Sequence, residues 1–268
     1  MDVLERALGV TIPKSILRVV HGIPFQIDKI GKSSSQVAIF EEYTLKVSSL
    51  SFDIENEVRI SKVLQNVIPI PELLAYEVVS GKVFLLKRKL QGKMLCDDYY
   101  MNRPNLLFAL AAKAISLLWS VDIHDLDLQD SFATVLDFGK KANRQGLLDI
   151  LKSDLNATKG FRDFNEILDY LICHKPEGKN VLTHGDLCLT NILCDEDKLV
   201  GFIDLGLMGK SHPYHDLAIL YRSIQYNFAG VYGKAYPGFE KNRLFDLLHI
   251  KKDESLIRYY LLLDEVLG

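Results

Sequence analysis

The stretch Thr183-His184-Gly185-Asp186-Leu187-Cys188-Leu189-Thr190-Asn191 puts an acid, a histidine and an asparagine into one loop between two short apolar runs. Phosphoryl transfer uses that combination: an aspartate accepts the proton of the attacking hydroxyl, and an asparagine five positions later binds the metal on the triphosphate. Asp186 and Asn191 have that spacing. A β-turn whose Asp and Asn only satisfy backbone amides would look the same in isolation. A second motif follows closely, where the apolar run Val200-Gly201-Phe202-Ile203 ends in Asp204, Leu205 and Gly206. Hard cations take oxygen ligands, so a carboxylate at a strand end suits a Mg²⁺ that bridges phosphates. Gly206 is expected to let the backbone turn sharply away.

The third feature is Lys46, within Tyr43-Thr44-Leu45-Lys46-Val47, together with an acid on the helix that follows, Glu57 ahead of Glu55. A strand lysine held by a helix carboxylate places a fixed positive charge on the α/β phosphates; alone it would read as a surface lysine on an edge strand. Upstream, Gly31-Lys32-Ser33-Ser34-Ser35 offers small residues whose amides and hydroxyls could cap phosphate oxygens, with Ser33 at its centre. It is no Walker loop, because the chain contains no GxxxxGK[ST].

These side chains need elements to hold them, and the apolar periodicity supplies two kinds. Before residue 90 come short β-like runs at Phe25 to Ile30, Gln36 to Phe40, Thr44 to Val47, Leu73 to Val79 and Val83 to Lys87, interrupted by one helix at Phe52 to Leu64 that Ser51 or Asp53 would cap. After Gly92 helical spacing dominates: Pro104 to Val121, Val135 to Asp154, Phe161 to His174, Asp216 to Phe228, Lys241 to Leu248 and Glu254 to Leu267. Brief strands at Val181 to Thr183, Ile192 to Cys194 and Leu199 to Ile203 frame the two acidic motifs. The expected fold class is therefore α+β, with a small β-rich lobe carrying one helix over residues 1–90 and a larger, mainly helical lobe over residues 91–268. A cleft between lobes is where ligands would bind.

Composition narrows the partners. Hydrophobic residues at 48% and charged residues at 25% exclude disorder as the main state. A net charge of -3 provides no basic field for a phosphate backbone, so nucleic acid is an unexpected partner and a cationic one fits better. Cys96, Cys173, Cys188 and Cys194 form no CxxC pair, which argues against a disulfide framework or zinc site and for a cytoplasmic location. The amino terminus lacks the basic-then-apolar layout of a secretory signal. Leu106 to Trp119, interrupted by Lys113, is too short for a membrane span and reads as a buried core helix. His212 and His215 have no third ligand nearby and read as structural, while Asp216 is expected to cap its helix and brace the catalytic loop.

With these residues in place, the chain resembles the aminoglycoside 3'-phosphotransferases over nearly its whole length. The carriers are Leu182 to Leu193, Gly201 to Gly206, Tyr221-Arg222-Ser223-Ile224 and Tyr259-Tyr260-Leu261-Leu262-Leu263-Asp264-Glu265. The resemblance implies a protein-kinase-like two-lobe fold, ATP or GTP as donor, Mg²⁺, and a sugar hydroxyl of an aminocyclitol antibiotic as acceptor. By the same analogy Asp186 is the base and Asn191 and Asp204 hold the metal. Lys46 with Glu57 holds the phosphates, and Arg88 to Leu90 form an adenine-facing hinge. Asp264 and Glu265 face substrate amines, with Asp154 and Arg222 in the same region. The chain departs from the family pattern at Leu207, where Arg is usual, at Gln225-Tyr226-Asn227, where acids are frequent, and at Ser153 and Asn156. These departures bear on the acceptor rather than on the reaction. The alternatives are a kinase of the same fold for another hydroxylated metabolite, and a silent nucleotide-binding module.

Overall fold

Every second residue of a strand faces the same side, and the central strand of the first sheet uses both sides. The computed structural model describes residues 2–28 and 35–267. The chain divides into two compact units, one holding residues up to Gln91 plus Val200–Gly206, the other holding Gly92–Leu199 and the residues from Leu207 onward.

The first unit runs α1 (Val3–Leu8), α2 (Lys14–Val20), β1 (Phe25–Ile27), β2 (Gln36–Phe40), β3 (Tyr43–Ser49), α3 (Phe52–Leu64), β4 (Leu73–Val79) and β5 (Lys82–Arg88). Its strands form one antiparallel sheet in the order β1-β2-β3-β5-β4. Phe84 and Leu86 of β5, with Leu45 and Val47 of β3, pack against Leu4, Leu8, Ile12, Ile16 and Val20 of the amino-terminal segment. Val83 and Leu85 face the other way, onto Ile54 and Val58 of α3. Helices thus cover both faces. The register Lys46↔Leu85 and Thr44↔Lys87 puts Lys46 and Lys87 on the α3 face, since directly paired residues share a side.

Two helices, α1 and α2, precede the sheet where the sequence pattern suggested only strands and α3. Both are short: α1 is fixed by a capping box in which Asp2 accepts from the Leu4 amide and Glu5 from the Asp2 amide. Neither is long enough for a clear 3.6-residue period. Strand β1 ends at Ile27, Lys29 and Ile30 lying outside the described residues. Ser51 precedes α3 in extended conformation without a capping bond from its side chain, and Asp53 sits inside the first turn.

The second unit contains β6 (Lys93–Met94), α4 (Asp98–Met101), α5 (Pro104–Trp119), α6 (Ser131–Arg144), α7 (Leu155–Thr158), α8 (Phe164–Cys173), β7 (Val181–Thr183) and β8 (Ile192–Asp195). Strand β9 (Lys198–Phe202) starts there and ends in the first unit. Strand β10 (Gly209–Ser211) and helices α9 (Tyr214–Ala229), α10 (Arg243–Leu247) and α11 (Glu254–Glu265) complete it. β6 pairs with β8 and β7 with β10, both antiparallel. The core is built on α5, whose Leu107, Phe108, Ala111, Ala114, Ile115 and Leu118 are buried, and Phe108 stacks on Phe228 of α9 at 6.1 Å. No helix among the described residues is long and apolar enough to cross a membrane. The expected helix from Val135 to Asp154 begins earlier, at Ser131, and stops at Arg144, because Gly146 adopts φ 69°, a left-handed conformation that ends the turn.

Phe84 is 1% exposed in the most buried strand of the first sheet. Phe84→Ala is expected to cost about 3–5 kcal/mol in urea denaturation, whereas Val3→Ala, at a residue 62% exposed, should stay within about 0.5 kcal/mol.

Candidate active site

In the first unit, Glu57 sits on α3 at 2% exposure facing the sheet, where an unpaired carboxylate would be costly. The Lys46 ammonium meets its Oε2 at 3.0 Å, and the Lys87 ammonium meets its Oε1. Burial works to raise the Glu57 pKa, but Lys87 and Lys46 outweigh it and hold the group at about 2. Burial works to lower the Lys46 pKa, and Glu57 with Asp204 outweighs it, so the lysine is held above its usual value. Lys46 also reaches Asp204 Oδ1 at 3.4 Å. The expected Lys46–Glu57 pair forms, and Asp204, remote in sequence, joins it. Glu55, the alternative partner, is not the one chosen.

Asp204 is brought there by the turn after β9. The left-handed conformation expected to fall on Gly206 falls on Asp204 itself, at φ 60°, which Asp tolerates better than most residues. Gly206 serves instead for close approach: a Cβ there would lie 3.0 Å from Asp53 Cβ, and its carbonyl accepts from Asn56 Nδ2 at 2.8 Å. The turn is thus pinned to α3.

In the second unit, the loop after β7 is organised by a carboxylate from α9. Asp216 Oδ2 accepts from the His184 amide at 2.7 Å and Oδ1 from the Gly185 amide at 2.9 Å. Asp216 braces the loop but does not cap its helix; Pro213 holds that position, and Asp216 is the third helical residue, turned inward. Burial pushes its pKa up to about 6 against the pull of His184 and the two amides. Gly185 has φ 84°, and a Cβ on it would lie 2.3 Å from the Leu207 carbonyl oxygen. Ser223 of α9 accepts from the Leu189 amide at 3.0 Å. In the loop so held, Asn191 Nδ2 donates to Asp186 Oδ2 at 3.1 Å and to the Asp186 carbonyl at 2.8 Å. Cys188 Sγ contacts Asp186 Oδ1 at 3.2 Å, and burial with that carboxylate raises its pKa.

The expected acceptor residues also gather in this unit. Arg222 Nη1 donates to Glu265 Oε1 at 3.0 Å and Nη2 to Asp264. Glu265 Oε2 accepts from the Asp154 amide at 3.0 Å, and the Tyr226 hydroxyl donates to the Asp154 carboxylate. Asp264 and Glu265, expected to face substrate amines, are both tied to Arg222, because a side chain 16% exposed cannot carry its charge unpaired. A cavity of about 420 Å³ is lined here by Asp154, Arg222, Gln225, Tyr226, Glu254 and Arg258.

The hinge expectation changes in detail. The Arg88 amide donates to the Glu72 carbonyl, the Lys89 amide to the Glu42 carbonyl, and the Arg88 side chain pairs with Glu72 at 2.9 Å on an exposed surface. Those two amides are already committed to backbone partners. Ser33, with Gly31 to Ser34, lies outside the described residues. His212 and His215 stack on Tyr260, each with ring centroids 5.6 Å apart, and no group of three metal-ligating side chains occurs among the described residues. Lys87, Asn56 and Ser223 were not anticipated. Lys87 had a signal, since it lies two residues from Leu85 on the α3 face.

A family model described as "Phosphotransferase enzyme family" matches residues 30–245. The chain is 33% identical over 220 residues to an aminoglycoside 3'-phosphotransferase of Enterococcus faecalis, covering 81% of this chain and 80% of that one. It is 30% identical over 247 residues to one of Staphylococcus aureus, covering 91% and 89%. Among solved structures, aminoglycoside phosphotransferase APH(3'')-Id from Streptomyces rimosus matches at TM-score 0.79 and 20% identity over 100% and 99% of the two chains. An aminoglycoside-3'-phosphotransferase of type VIII matches at 0.72 and 20% over 94% and 98%. The fold is the kinase-like α+β fold of these enzymes.

Asp216 tests how the loop is held. With its folded pKa raised to about 6 from 3.8, its stabilising contribution is full below the unfolded value and is lost as pH rises through about 6. Urea denaturation should therefore show, relative to Asp216→Asn, a stability that falls between pH 4 and 6. Asp216→Asn should lower kcat by about 100-fold or more through misplacement of the loop.

Proposed function

Because this chain belongs to the phosphotransferase enzyme family, we propose that it transfers the γ-phosphate of ATP or GTP to the 3'-hydroxyl of an aminoglycoside antibiotic in the cytoplasm. The carrying observation is the Lys46–Glu57–Asp204 cluster, a buried carboxylate fixing an ammonium beside a second carboxylate. Glu57 and Asp204 keep Lys46 charged, and a fixed ammonium of that kind suits the phosphates of a nucleotide. The relatives named for 3'-phosphotransfer support the regiochemistry, and a Streptomyces rimosus phosphotransferase structure in complex with ADP and streptomycin supports the substrate pair.

In this reading Asp186 accepts the proton of the acceptor hydroxyl while that oxygen forms its bond to the γ-phosphorus and the bond to the β-phosphate oxygen breaks, releasing the nucleoside diphosphate. The hydrogen bonds from Asn191 and Cys188 keep the Asp186 carboxylate oriented. Lys46 places its charge on the phosphates. Of the hinge segment Arg88 to Leu90, Leu90 is assigned the adenine contact, since the amides of Arg88 and Lys89 are engaged. The Asp204 carboxylate and the Asn191 amide oxygen are each an oxygen donor of the kind Mg²⁺ takes, and both are assigned to it, with water and substrate phosphates as its other ligands. When bound, Mg²⁺ would neutralise charge developing on the transferred phosphoryl group. Asp154, Asp264 and Glu265 supply carboxylates for acceptor amines, and Arg222 orders the last two.

A coupled assay of nucleoside diphosphate release, run with ATP and with GTP against kanamycin, neomycin and a 3'-deoxy analogue, tests this. Turnover with the first two, none with the deoxy analogue, and loss of at least about 1,000-fold in Asp186→Ala is the expected outcome. Nucleotide binding without aminoglycoside-dependent turnover would point to another hydroxylated metabolite as acceptor.

A further inference from the structure

A lysine that must both anchor on a buried carboxylate and neutralise a triphosphate has one charge for two tasks. The first unit holds a second lysine at the same carboxylate. Lys87 is 6% exposed on β5, its ammonium on Glu57 Oε1, while Lys46 takes Oε2 at 3.0 Å. The two lysines reach Glu57 from neighbouring strands, because the register sets Lys46 beside Leu85 and Lys87 two residues on along the same face. Glu57 itself is fixed from behind: the Ser61 hydroxyl donates to its carbonyl at 2.7 Å, and the adjacent Asn56 donates to Gly206 and accepts from Arg59 at 2.7 Å. Asp204 at 3.4 Å makes the local balance two ammonium groups against two carboxylates. Without Lys87, Lys46 would alone face both acids.

We propose that Lys87 is a positioning residue that holds Glu57 from the β5 side, so that Lys46 is released to engage the phosphates of the nucleotide. The proposal rests on the phosphotransferase reading of this site. Lys87 acts through Glu57 and does not touch the nucleotide. Its removal by Lys87→Met leaves Glu57 to Lys46 alone, drawing that ammonium inward and away from the phosphates.

A double-mutant cycle on nucleotide affinity tests it, with calorimetric Kd for Mg·ADP on the full chain in the wild type, Lys87→Met, Glu57→Gln and the double variant. The expected result is a loss of about tenfold on Lys87→Met in the wild-type background and less than about twofold in the Glu57→Gln background, the non-additivity of a residue that works through its neighbour. The KM for nucleotide should rise in parallel while the KM for the acceptor stays unchanged. Equal losses in the two backgrounds would mean a direct contact to nucleotide and overturn the proposal. So would a Lys87→Met protein that is less stable but binds Mg·ADP as the wild type does, the mark of a purely structural lysine. If Lys87→Met does not fold, Lys87→Gln takes its place in the same cycle, with the same two outcomes deciding. A wild type that does not bind Mg·ADP would remove the phosphotransferase reading, and this proposal with it.

Discussion

A carboxylate with no access to water must find its counter-charge inside the fold, and Glu57 imposes that demand on everything around it. Its partners must come from the sheet face that α3 covers, which fixes the positions of two lysines on adjacent strands and the packing of α3 over them. Removing one partner of a buried pair costs about 3–5 kcal/mol, far more than a surface ion pair contributes. The cluster therefore selects one arrangement of β3, β5 and α3. Asn56 and Asp53, one helical turn or less from Glu57, then hold the Asp204 turn to the same helix. One buried charge thereby sets the geometry of both the cation and the second acid.

The second unit solves a similar problem with the opposite result. Asp216 is also buried, but it is compensated by His184 and two backbone amides rather than by two ammonium groups. Dipoles offset burial less completely than full charges do, so Glu57 is held at about 2 while Asp216 is pushed up to about 6. Both remain ionised at neutral pH. They part company in acid, where Asp216 is the first of the two to take up a proton, which its burial favours. Its contribution to stability is therefore largest in acid and fades as pH rises through about 6, the reverse of Glu57, whose contribution is lost as pH falls toward about 2.

Much of this was legible in the sequence where spacing and side-chain type coincide. Strands Gln36–Phe40 and Leu73–Val79 and helix Phe52–Leu64 show their periods plainly and occur with those limits. Lys46, Glu57 and Asp204 meet because a strand lysine, a helix acid and a strand-end carboxylate each carry a local signal. Helices α1 and α2 were not legible, since fewer than two full turns show little period. Val200–Gly206 belongs to the first unit although its neighbours on both sides belong to the second. Linear order cannot reveal such a return, and a boundary drawn once near residue 90 misses it. Lys87 was passed over because charged residues in a strand read as solvent-facing, although it alternates in step with Leu85, and the register Lys46↔Leu85 then puts it on the same face as Lys46.

The region proposed to face the acceptor follows from the same electrostatics. Asp154, Asp264 and Glu265 against Arg222 leave two negative charges, so the three carboxylates attract a cation less strongly than their number suggests. Burial raises the Glu265 pKa, and Arg222 and the Asp154 amide only partly offset it. What the arrangement gives in exchange is order: each carboxylate is already bonded, to Arg222 or to Tyr226, and loses little side-chain freedom when a ligand arrives. Gln225 and Tyr226 stand where acids are frequent in the family the sequence resembles, and Tyr226 uses its hydroxyl to orient Asp154 rather than to add charge. In the proposed reading, direction in place of charge suits an acceptor recognised by where its ammonium groups sit.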